Sequence, residues 1–380
     1  MQLIYLDNSS TTKPCDSAVD EAVRAMRENW GNPSSLHRLG VEAEETVSST
    51  RETVADMLGC RADEIYFTGS GTEANNLCIM GAAESMKRRG NRIITTSVEH
   101  PSVLNTCAHL EQNGFEVIRI KPHSDGHVYA EDVLSAVNDK TVLVTMMLVN
   151  NETGCIFPVQ KVSEGLKSMG SKALLHSDCV QAFGKLNIDV DDLDVDLISA
   201  SGHKIHGPKG IGFIYKKKSV NLKPVIFGGN QERGLRSGTE SVPLIAALKG
   251  ALSELTVADS LKKVWELHSY ARRRLTEIDG IVINSPDNDI LPYILNISMP
   301  GYRSETVLHF LESKNIFVSS GSACSKGKGS HVLTEMGLSN DRTDSALRLS
   351  FSRYNTESDI DALCTALEEA KNTLHRKQGH

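Results

Sequence analysis

Apolar runs of strand length alternate with amphipathic segments of helix length between residues 64 and 217. Consecutive parallel strands need a long crossover connection, usually a helix, so this alternation predicts a largely parallel sheet with helices on both faces. The helical segments include 74–89 and 158–169. The strand-like runs are IYFTG (65–69), RIITTS (92–97), FEVIRIK (115–121), TVLVTMMLV (141–149), ALLHSD (173–178), LISAS (197–201) and GIGFIYK (210–216). The sequence therefore predicts a large α/β domain.

The pattern changes beyond residue 244. One long helical pattern over 244–279 is followed by short strands and by helices near 304–314 and 356–375, which is typical of a smaller α+β domain. The strands predicted there are INS (283–285), ILNISM (294–299), FVSS (317–320) and LRLSFS (347–352). The expected units are an N-terminal arm (1–15) packed on the small domain, a large domain (16–255) and a small C-terminal domain (256–380).

Charge and composition exclude several classes of protein. The chain has 41 lysines and arginines against 48 aspartates and glutamates, a net charge of −7 that does not favour nucleic acid binding. The apolar run at 141–149 is shorter than the ~20 residues of a membrane helix. The start, MQLIYLDNSS, lacks a signal-peptide pattern, and eight cysteines include no CxxC pair. We therefore expect a cytoplasmic protein with reduced thiols, no metal, and neither a nucleic acid nor a membrane as partner.

A lysine stands in the glycine-rich segment SGHKIHGPKG (201–210), directly after a predicted strand. A lysine in such a turn can be removed from water and lowered in pKa, which is the condition for forming a Schiff base. The plainer alternative is a solvated turn residue. On its own, Lys204 therefore indicates Schiff-base chemistry only weakly.

Asp178 strengthens this interpretation because it ends the predicted strand ALLHSD. Side chains at the carboxyl edge of a parallel sheet face the crevice where α/β proteins bind ligands. An aspartate there can pair with a pyridinium nitrogen, and the alternative is a helix N-cap. Together with Lys204, Asp178 favours a pyridoxal cofactor.

A phosphate site is predicted where TGSGTE (68–73) closes the first strand and opens a helix. Backbone N–H groups and the positive end of the helix dipole bind anions at such a turn. The segment lacks the Walker lysine and the GxGxxG spacing, so one small phosphate ester is favoured over a nucleotide. Ser201 and His203 could donate further hydrogen bonds to that phosphate.

Three more residues are candidates for chemistry. Cys324 stands in SSGSACSKGKGS (319–330) with two lysines behind it, which favours a thiolate, although an exposed thiol in a polar linker has the same pattern. Arg348 lies inside an apolar strand and suits a substrate carboxylate, with a structural ion pair as the alternative. His100 follows a strand and could lie over a cofactor ring or cap the next helix.

Taken together, these residues resemble the NifS/IscS-type cysteine desulfurases of the class-V aminotransferases, within the fold-type I superfamily of pyridoxal-phosphate enzymes. The resemblance covers nearly the whole chain. It rests on YLDN (5–8), TT (11–12), GNPSS (31–35), His37, FTGSGTEANN (67–76), EH (99–100), VNNETG (149–154), HSDCVQAFGK (176–185), SGHKIHGPKG (201–210), RSGT (236–239) and SSGSAC (319–324). The fold implied is a mostly parallel seven-stranded sheet flanked by helices plus a smaller α+β domain.

The resemblance implies a role for each matched residue. Lys204 would form the covalent bond to pyridoxal 5′-phosphate, Asp178 would pair with its ring nitrogen and His100 would stack on its ring. The other implied contacts are Gln181 and Asn151 with the phenolic oxygen, Gly71, Thr72, Ser201 and His203 with the phosphate, and Arg348 and Asn151 with the substrate carboxylate. Thr239 would reach the phosphate site of a second subunit, which implies an obligate homodimer with shared active sites.

The activity implied is conversion of L-cysteine to L-alanine. Lys204 would remove the Cα proton, and Cys324 would take the sulfur as a persulfide. The persulfide sulfur would pass to an acceptor protein, an iron–sulfur scaffold or a tRNA-thiolation enzyme. Only SKGKG separates Cys324 from Ser330, a loop shorter and more basic than is usual in iron–sulfur-assembly members, and Ser9-Ser10 replaces a usual pair of alanines. Two alternatives remain: a selenocysteine or cystine lyase on the same fold, and a non-catalytic protein that retains the fold.

Overall fold

A computed structural model describes residues 3–320 and 329–376 of the chain. The strands of this part are β1 (Ile4–Tyr5), β2 (Ile65–Thr68), β3 (Arg92–Thr96), β4 (Glu116–Ile120), β5 (Thr141–Met147), β6 (Leu174–Asp178), β7 (Leu197–Ser201), β8 (Gly212–Lys216), β9 (Val282–Ile283), β10 (Ile294–Ser298), β11 (Ile316–Phe317) and β12 (Ala346–Ser350). The helices are α1 (Asp16–Arg27), α2 (Arg38–Leu58), α3 (Gly71–Met86), α4 (Pro101–Gln112), α5 (Ala130–Ser135), α6 (Val159–Ser168), α7 (Val190–Leu193), α8 (Val242–Ser253), α9 (Val257–Thr276), α10 (Ser304–Ser313), α11 (His331–Glu335), α12 (Asn340–Asp344) and α13 (Glu357–Thr373).

The central element is a seven-stranded sheet in the order β2-β8-β7-β6-β5-β3-β4. β8 runs antiparallel to β2 and β7, whereas the other neighbours are parallel. Every residue of β5 is buried, as expected for a strand whose two faces are both covered. The predicted α/β fold with a largely parallel sheet is confirmed.

The C-terminal part contains a three-stranded antiparallel sheet in the order β12-β10-β9. β9 ends at Ile283, whereas the predicted strand continues to residue 285. Asn284 bonds Ser298 Oγ at 2.7 Å and Ser285 bonds the Thr153 carbonyl at 2.6 Å, so their side chains tie the segment down outside the strand ladder. β11 is likewise shorter than predicted, although Ser319 still bridges to Arg348.

The single helix predicted over 244–279 is wrong. The structure has two helices, α8 and α9, with a break at 254–256. Arg353 explains the break: its guanidinium donates to the Glu254 carbonyl at 2.7 Å and to the Glu254 carboxylate at 2.8 Å, and this caps the end of α8. The predicted domain boundary at 255/256 falls in this break and stays a prediction. In the part of the chain that the structure describes, no helix has the length and apolar character needed to span a bilayer.

The N-terminal arm joins the C-terminal part of the chain to the loop that carries Lys204. β1 pairs in parallel with β11, and Asp7 bridges to Ser350 at the end of β12. Thr12 then donates its backbone N–H to the His203 carbonyl at 2.9 Å. The arm therefore lies beside the carboxyl end of the central sheet.

Candidate active site

A cavity of about 300 Å³ lies at the carboxyl ends of β5, β6 and β7, next to the arm. Ten of the twelve residues singled out from the sequence line it. They are Gly71, Thr72, His100, Asn151, Asp178, Gln181, Ser201, His203, Lys204 and Arg348. Thr239 is exposed and is not among the lining residues, and Cys324 lies outside the described residues.

Lys204 lies in the turn that follows β7 and projects into this cavity. Its Nζ donates to two backbone carbonyls of the arm, those of Ser9 at 2.5 Å and Ser10 at 2.8 Å. Loss of water contact, followed by the charge of Arg348, lowers the pKa of Lys204 to about 7. The amine is therefore a much better nucleophile and base near neutral pH than an exposed lysine, and the solvated-turn alternative does not hold.

Asp178 ends β6 with its side chain buried at the cavity wall. One carboxylate oxygen accepts from Asn75 Nδ2 at 2.7 Å, and the other accepts from the Val180 backbone N–H at 2.9 Å. Asn75, a buried polar residue in α3, also bonds Ser102 at 2.9 Å. These bonds fix the orientation of a carboxylate that can face a protonated ring nitrogen. Asn75 was not predicted as a site residue, although it is a polar residue on the buried face of α3.

The start of α3 lies at the cavity, where the sequence predicts a phosphate site. Ser70 caps the helix by accepting from the Glu73 backbone N–H at 3.1 Å. A Cβ on Gly71 would lie 2.8 Å from Val180 Cγ2, so a glycine is needed for this close approach. Burial lowers the pKa of His203, which lines the same cavity, to about 3, so this imidazole is neutral at physiological pH.

Arg348 stands on β12 with only 3% of its surface exposed. Its guanidinium donates to the Asn151 carbonyl at 2.9 Å, to Asp7 at 3.1 Å and to Ser10 Oγ at 2.6 Å. Its Nε is buried and has no partner among residues 3–320 and 329–376. Arg348 thus makes a structural ion pair with Asp7, and its side chain also borders the cavity, where a guanidinium suits a carboxylate.

His100 caps the next helix, as one of the two alternatives held, and its place over a cofactor ring stays a prediction. Its Nδ1 accepts the Ser102 backbone N–H at 3.1 Å and so caps α4, while the ring also lines the cavity. Because Nδ1 accepts that bond, the neutral ring carries its proton on Nε2. Burial lowers the pKa of His100, which favours this neutral form.

Several lining residues were not predicted from the sequence. Ser9 and Ser10 come from the arm, as does Asp7, which does not line the cavity but pairs with Arg348. Glu152 is buried next to Asn151, accepts a hydrogen bond from Ser330 Oγ and has a pKa raised by burial to about 7. The segments that contain these residues were named from the sequence, but none of the residues was given a role at the site.

The donors around this cavity fit pyridoxal phosphate. Gly71 and Thr72 line the cavity at the start of α3, where backbone N–H groups suit a phosphate, a fixed carboxylate stands at Asp178, and an amine of lowered pKa stands at Lys204. Arg348, which also lines the cavity, supplies a guanidinium for the carboxylate of an amino-acid substrate. These groups are what a pyridoxal enzyme requires of its protein.

Comparisons with known proteins agree with this chemistry. The Aminotransferase class-V family model matches residues 4–363. The chain is 42% identical to the NifS/IcsS protein homolog of Lactobacillus delbrueckii subsp. bulgaricus, over 97% of both chains. It is 38% identical to the cysteine desulfurase IscS of Methanosarcina thermophila, over 96% of this chain and 91% of that one. A solved NifS-like protein superposes with a TM-score of 0.93 at 37% identity, covering 98% of this chain and all of the other. The chain belongs to the aminotransferase class-V family.

Proposed function

We propose that this protein is a pyridoxal-phosphate-dependent cysteine desulfurase that converts L-cysteine to L-alanine and holds the released sulfur as a persulfide on Cys324. The observation that carries the proposal is one cavity that joins Lys204, with a pKa of about 7, to Asp178 and Arg348. Relatives of about 40% identity over nearly the full length carry the name cysteine desulfurase or NifS.

Bound pyridoxal phosphate supplies an electron sink that makes the Cα proton of an amino acid removable. Arg348 binds the substrate carboxylate and sets its orientation. The neutral amine of Lys204 removes the Cα proton and later returns a proton to the product. Asp178, fixed by Asn75, keeps the proton on the ring nitrogen of the cofactor. His203 and the start of α3 bind the phosphate.

The sulfur transfer is balanced without an external oxidant or reductant. The Cβ–S bond of the substrate breaks, a bond forms between that sulfur and the Cys324 thiolate, and the carbon fragment leaves as alanine. Both flanks of the cysteine segment are fixed beside the cavity. The Ser319 carbonyl accepts the Arg348 backbone N–H at 2.7 Å, and Ser330 donates to Glu152. These two anchors support the assignment of Cys324 as the sulfur-accepting residue.

The same proposal includes a homodimer and an acceptor protein. Thr239 is exposed in the single chain, and the Arg236–Glu73 ion pair at 2.6 Å holds its segment near the start of α3. This placement suits a threonine that completes the phosphate site of a second subunit.

The acceptor would be an iron–sulfur scaffold or a tRNA-thiolation enzyme. A cytoplasmic location is part of the proposal, and the seven described cysteines are free thiols.

The experiment that tests this function compares three substrates on the purified holoenzyme. Alanine is quantified with L-cysteine, L-selenocysteine and L-cystine at equal concentration. We expect L-cysteine to give alanine together with protein-bound sulfur. Turnover of selenocysteine or cystine without turnover of cysteine would assign the lyase alternative instead. Failure to bind the cofactor would assign the non-catalytic alternative.

Replacing Arg348 with lysine is expected to raise the KM for L-cysteine by about 10- to 100-fold, because an ammonium cannot reproduce the fork of charge-assisted hydrogen bonds. The bound cofactor and its visible absorption should stay unchanged. Steady-state kinetics check this result. Arg342→Lys is the matched control, since Arg342 is a half-buried arginine that bonds Asn284 at 3.0 Å and does not line the cavity. An unchanged KM in Arg348→Lys would contradict the carboxylate role.

Cofactor capture by the apoprotein is expected to accelerate as pH rises through about 7. Only the neutral amine of Lys204 attacks the cofactor aldehyde, and the neutral fraction grows as pH passes the pKa. The measurement is the rate at which the absorption of the bound cofactor appears. It is taken from pH 5.5 to 10, which is roughly 1.5 units below to 3 units above the pKa of Lys204. A rate still climbing at pH 10 would show that Lys204 titrates like an exposed lysine.

A further inference from the structure

Lys185 is a second buried amine that the proposed mechanism does not use. Only 5% of its surface is exposed, although it carries an ionisable group. Its Nζ lies 5.5 Å from the centre of the Tyr293 ring and donates to Gln181 Oε1 at 3.1 Å. Burying a lysine is costly, so this arrangement calls for a reason beyond packing.

The charged surroundings of Lys185 increase that cost. Burial, followed by the positive charges of Lys204 and Arg348, lowers the pKa of Lys185 to about 7. A small cavity on its other side is lined by His206 and Arg353, and Lys204 also borders it. A packing role alone would be filled better by methionine, which has the same length without the charge.

The contact with Gln181 gives Lys185 a specific effect. The Lys185 Nζ carries N–H donors in both its charged and its neutral form, and the oxygen end of the Gln181 amide is the end that faces it. The nitrogen end donates to the Ser9 carbonyl at 3.0 Å, and this carbonyl also accepts from Lys204. With a donor fixed at one end and an acceptor at the other, the amide cannot flip. Its second N–H is left for the active-site cavity, which Gln181 lines.

We propose that Lys185 is a positioning residue that holds Gln181 with an amide N–H toward the phenolic oxygen of the bound cofactor. The proposal rests on the proposed function, in which Gln181 contacts that oxygen. A donor at this position draws electron density from the phenolic oxygen. The oxygen then stabilises less strongly the proton carried by the nitrogen that would link Lys204 to the cofactor. Lys185 therefore lowers the pH at which the bound cofactor loses this proton.

The test is a spectral titration of the holoenzyme, which needs bound cofactor but no turnover. We expect Lys185→Met to raise the pH midpoint of the visible absorption change by about one unit. Gln181→Leu should raise it as well. The double variant should have the same midpoint as Gln181→Leu alone, because Lys185 acts through Gln181. Lys185→Leu gives the same test should Lys185→Met fail to fold.

Lys216→Met is the matched control, because Lys216 also stands over a tyrosine ring, at 5.7 Å from the centre of Tyr66, and lies outside both cavities. Its midpoint should equal that of the wild type. An unchanged midpoint in Lys185→Met would overturn the proposal. Additive shifts in the double variant would overturn it too, since Lys185 would then act by its charge alone. Absence of visible absorption in the wild-type protein would instead overturn the proposed function.

Discussion

Replacing Lys204 with alanine is expected to reduce alanine formation by on the order of 10⁴-fold, the upper range for a positioned proton-transfer group. The variant loses the amine that attaches the cofactor and the base that removes the Cα proton. The covalent cofactor adduct, detected by borohydride reduction and peptide mass, should be absent. Non-covalent binding of pyridoxal phosphate should persist, because the phosphate site and Asp178 are unchanged.

The control for this variant is Lys209→Ala. Lys209 belongs to the same glycine-rich loop and is exposed, so its loss removes a lysine without touching the cavity. We expect wild-type turnover and a normal adduct from this control. A Lys204→Ala protein with wild-type turnover, or an adduct on another lysine, would contradict the assignment.

Replacing Cys324 with alanine is expected to lower alanine formation from L-cysteine to the level of a sample without enzyme. In the proposed mechanism the Cβ–S bond breaks as the Cys324 thiolate takes the sulfur, and the variant lacks this acceptor. The yellow colour and the covalent adduct at Lys204 should be retained. Alanine assay, absorption spectrum and intact mass on the same sample separate these effects.

Cys60→Ala is the matched control for the sulfur acceptor. Cys60 is half-buried, whereas the other described cysteines are buried. Burial raises the pKa of the Cys60 thiol to about 12, so Cys60 does not supply a thiolate at neutral pH. Turnover should be unchanged in this variant. Wild-type alanine formation by Cys324→Ala would remove Cys324 from the mechanism and favour a lyase that releases free sulfide or selenide.

Local pattern was sufficient to predict the central sheet. The strands are short apolar runs bounded by polar turns. The helix-length segments between them indicate the crossover connections of a parallel sheet. The break between α8 and α9 could not be predicted in this way. Apolar residues continue past Ser253, and the helix ends because Arg353, about a hundred residues later in the chain, caps Glu254. An end set by a distant side chain leaves no local signal.

The same distinction applies to the cavity. Lys204, Asp178 and Arg348 were predictable because each is a charged side chain at the end of a strand or inside an apolar one. Ser9 and Ser10 contact Lys204 through backbone carbonyls, which every residue type carries, so no sequence pattern marks them. The roles of all these residues, and the domain boundary, stay predictions.

Lys185 is a different case, since its residue type is informative only once its burial is known. In the sequence it follows a glycine and reads as an ordinary surface lysine. Packing against Tyr293, which is more than a hundred residues away in the chain, removes it from water. The contact that gives Lys185 its proposed role is the bond to Gln181.

The most direct test of the central claim is to incubate the purified holoenzyme with L-cysteine in the absence of reductant, quantify alanine, and locate added sulfur by peptide mass. We predict alanine in equal amount to protein-bound sulfur, with that sulfur on the peptide that contains Cys324. Alanine formed with sulfur on another cysteine, or no alanine from a protein that holds its cofactor, would contradict the account.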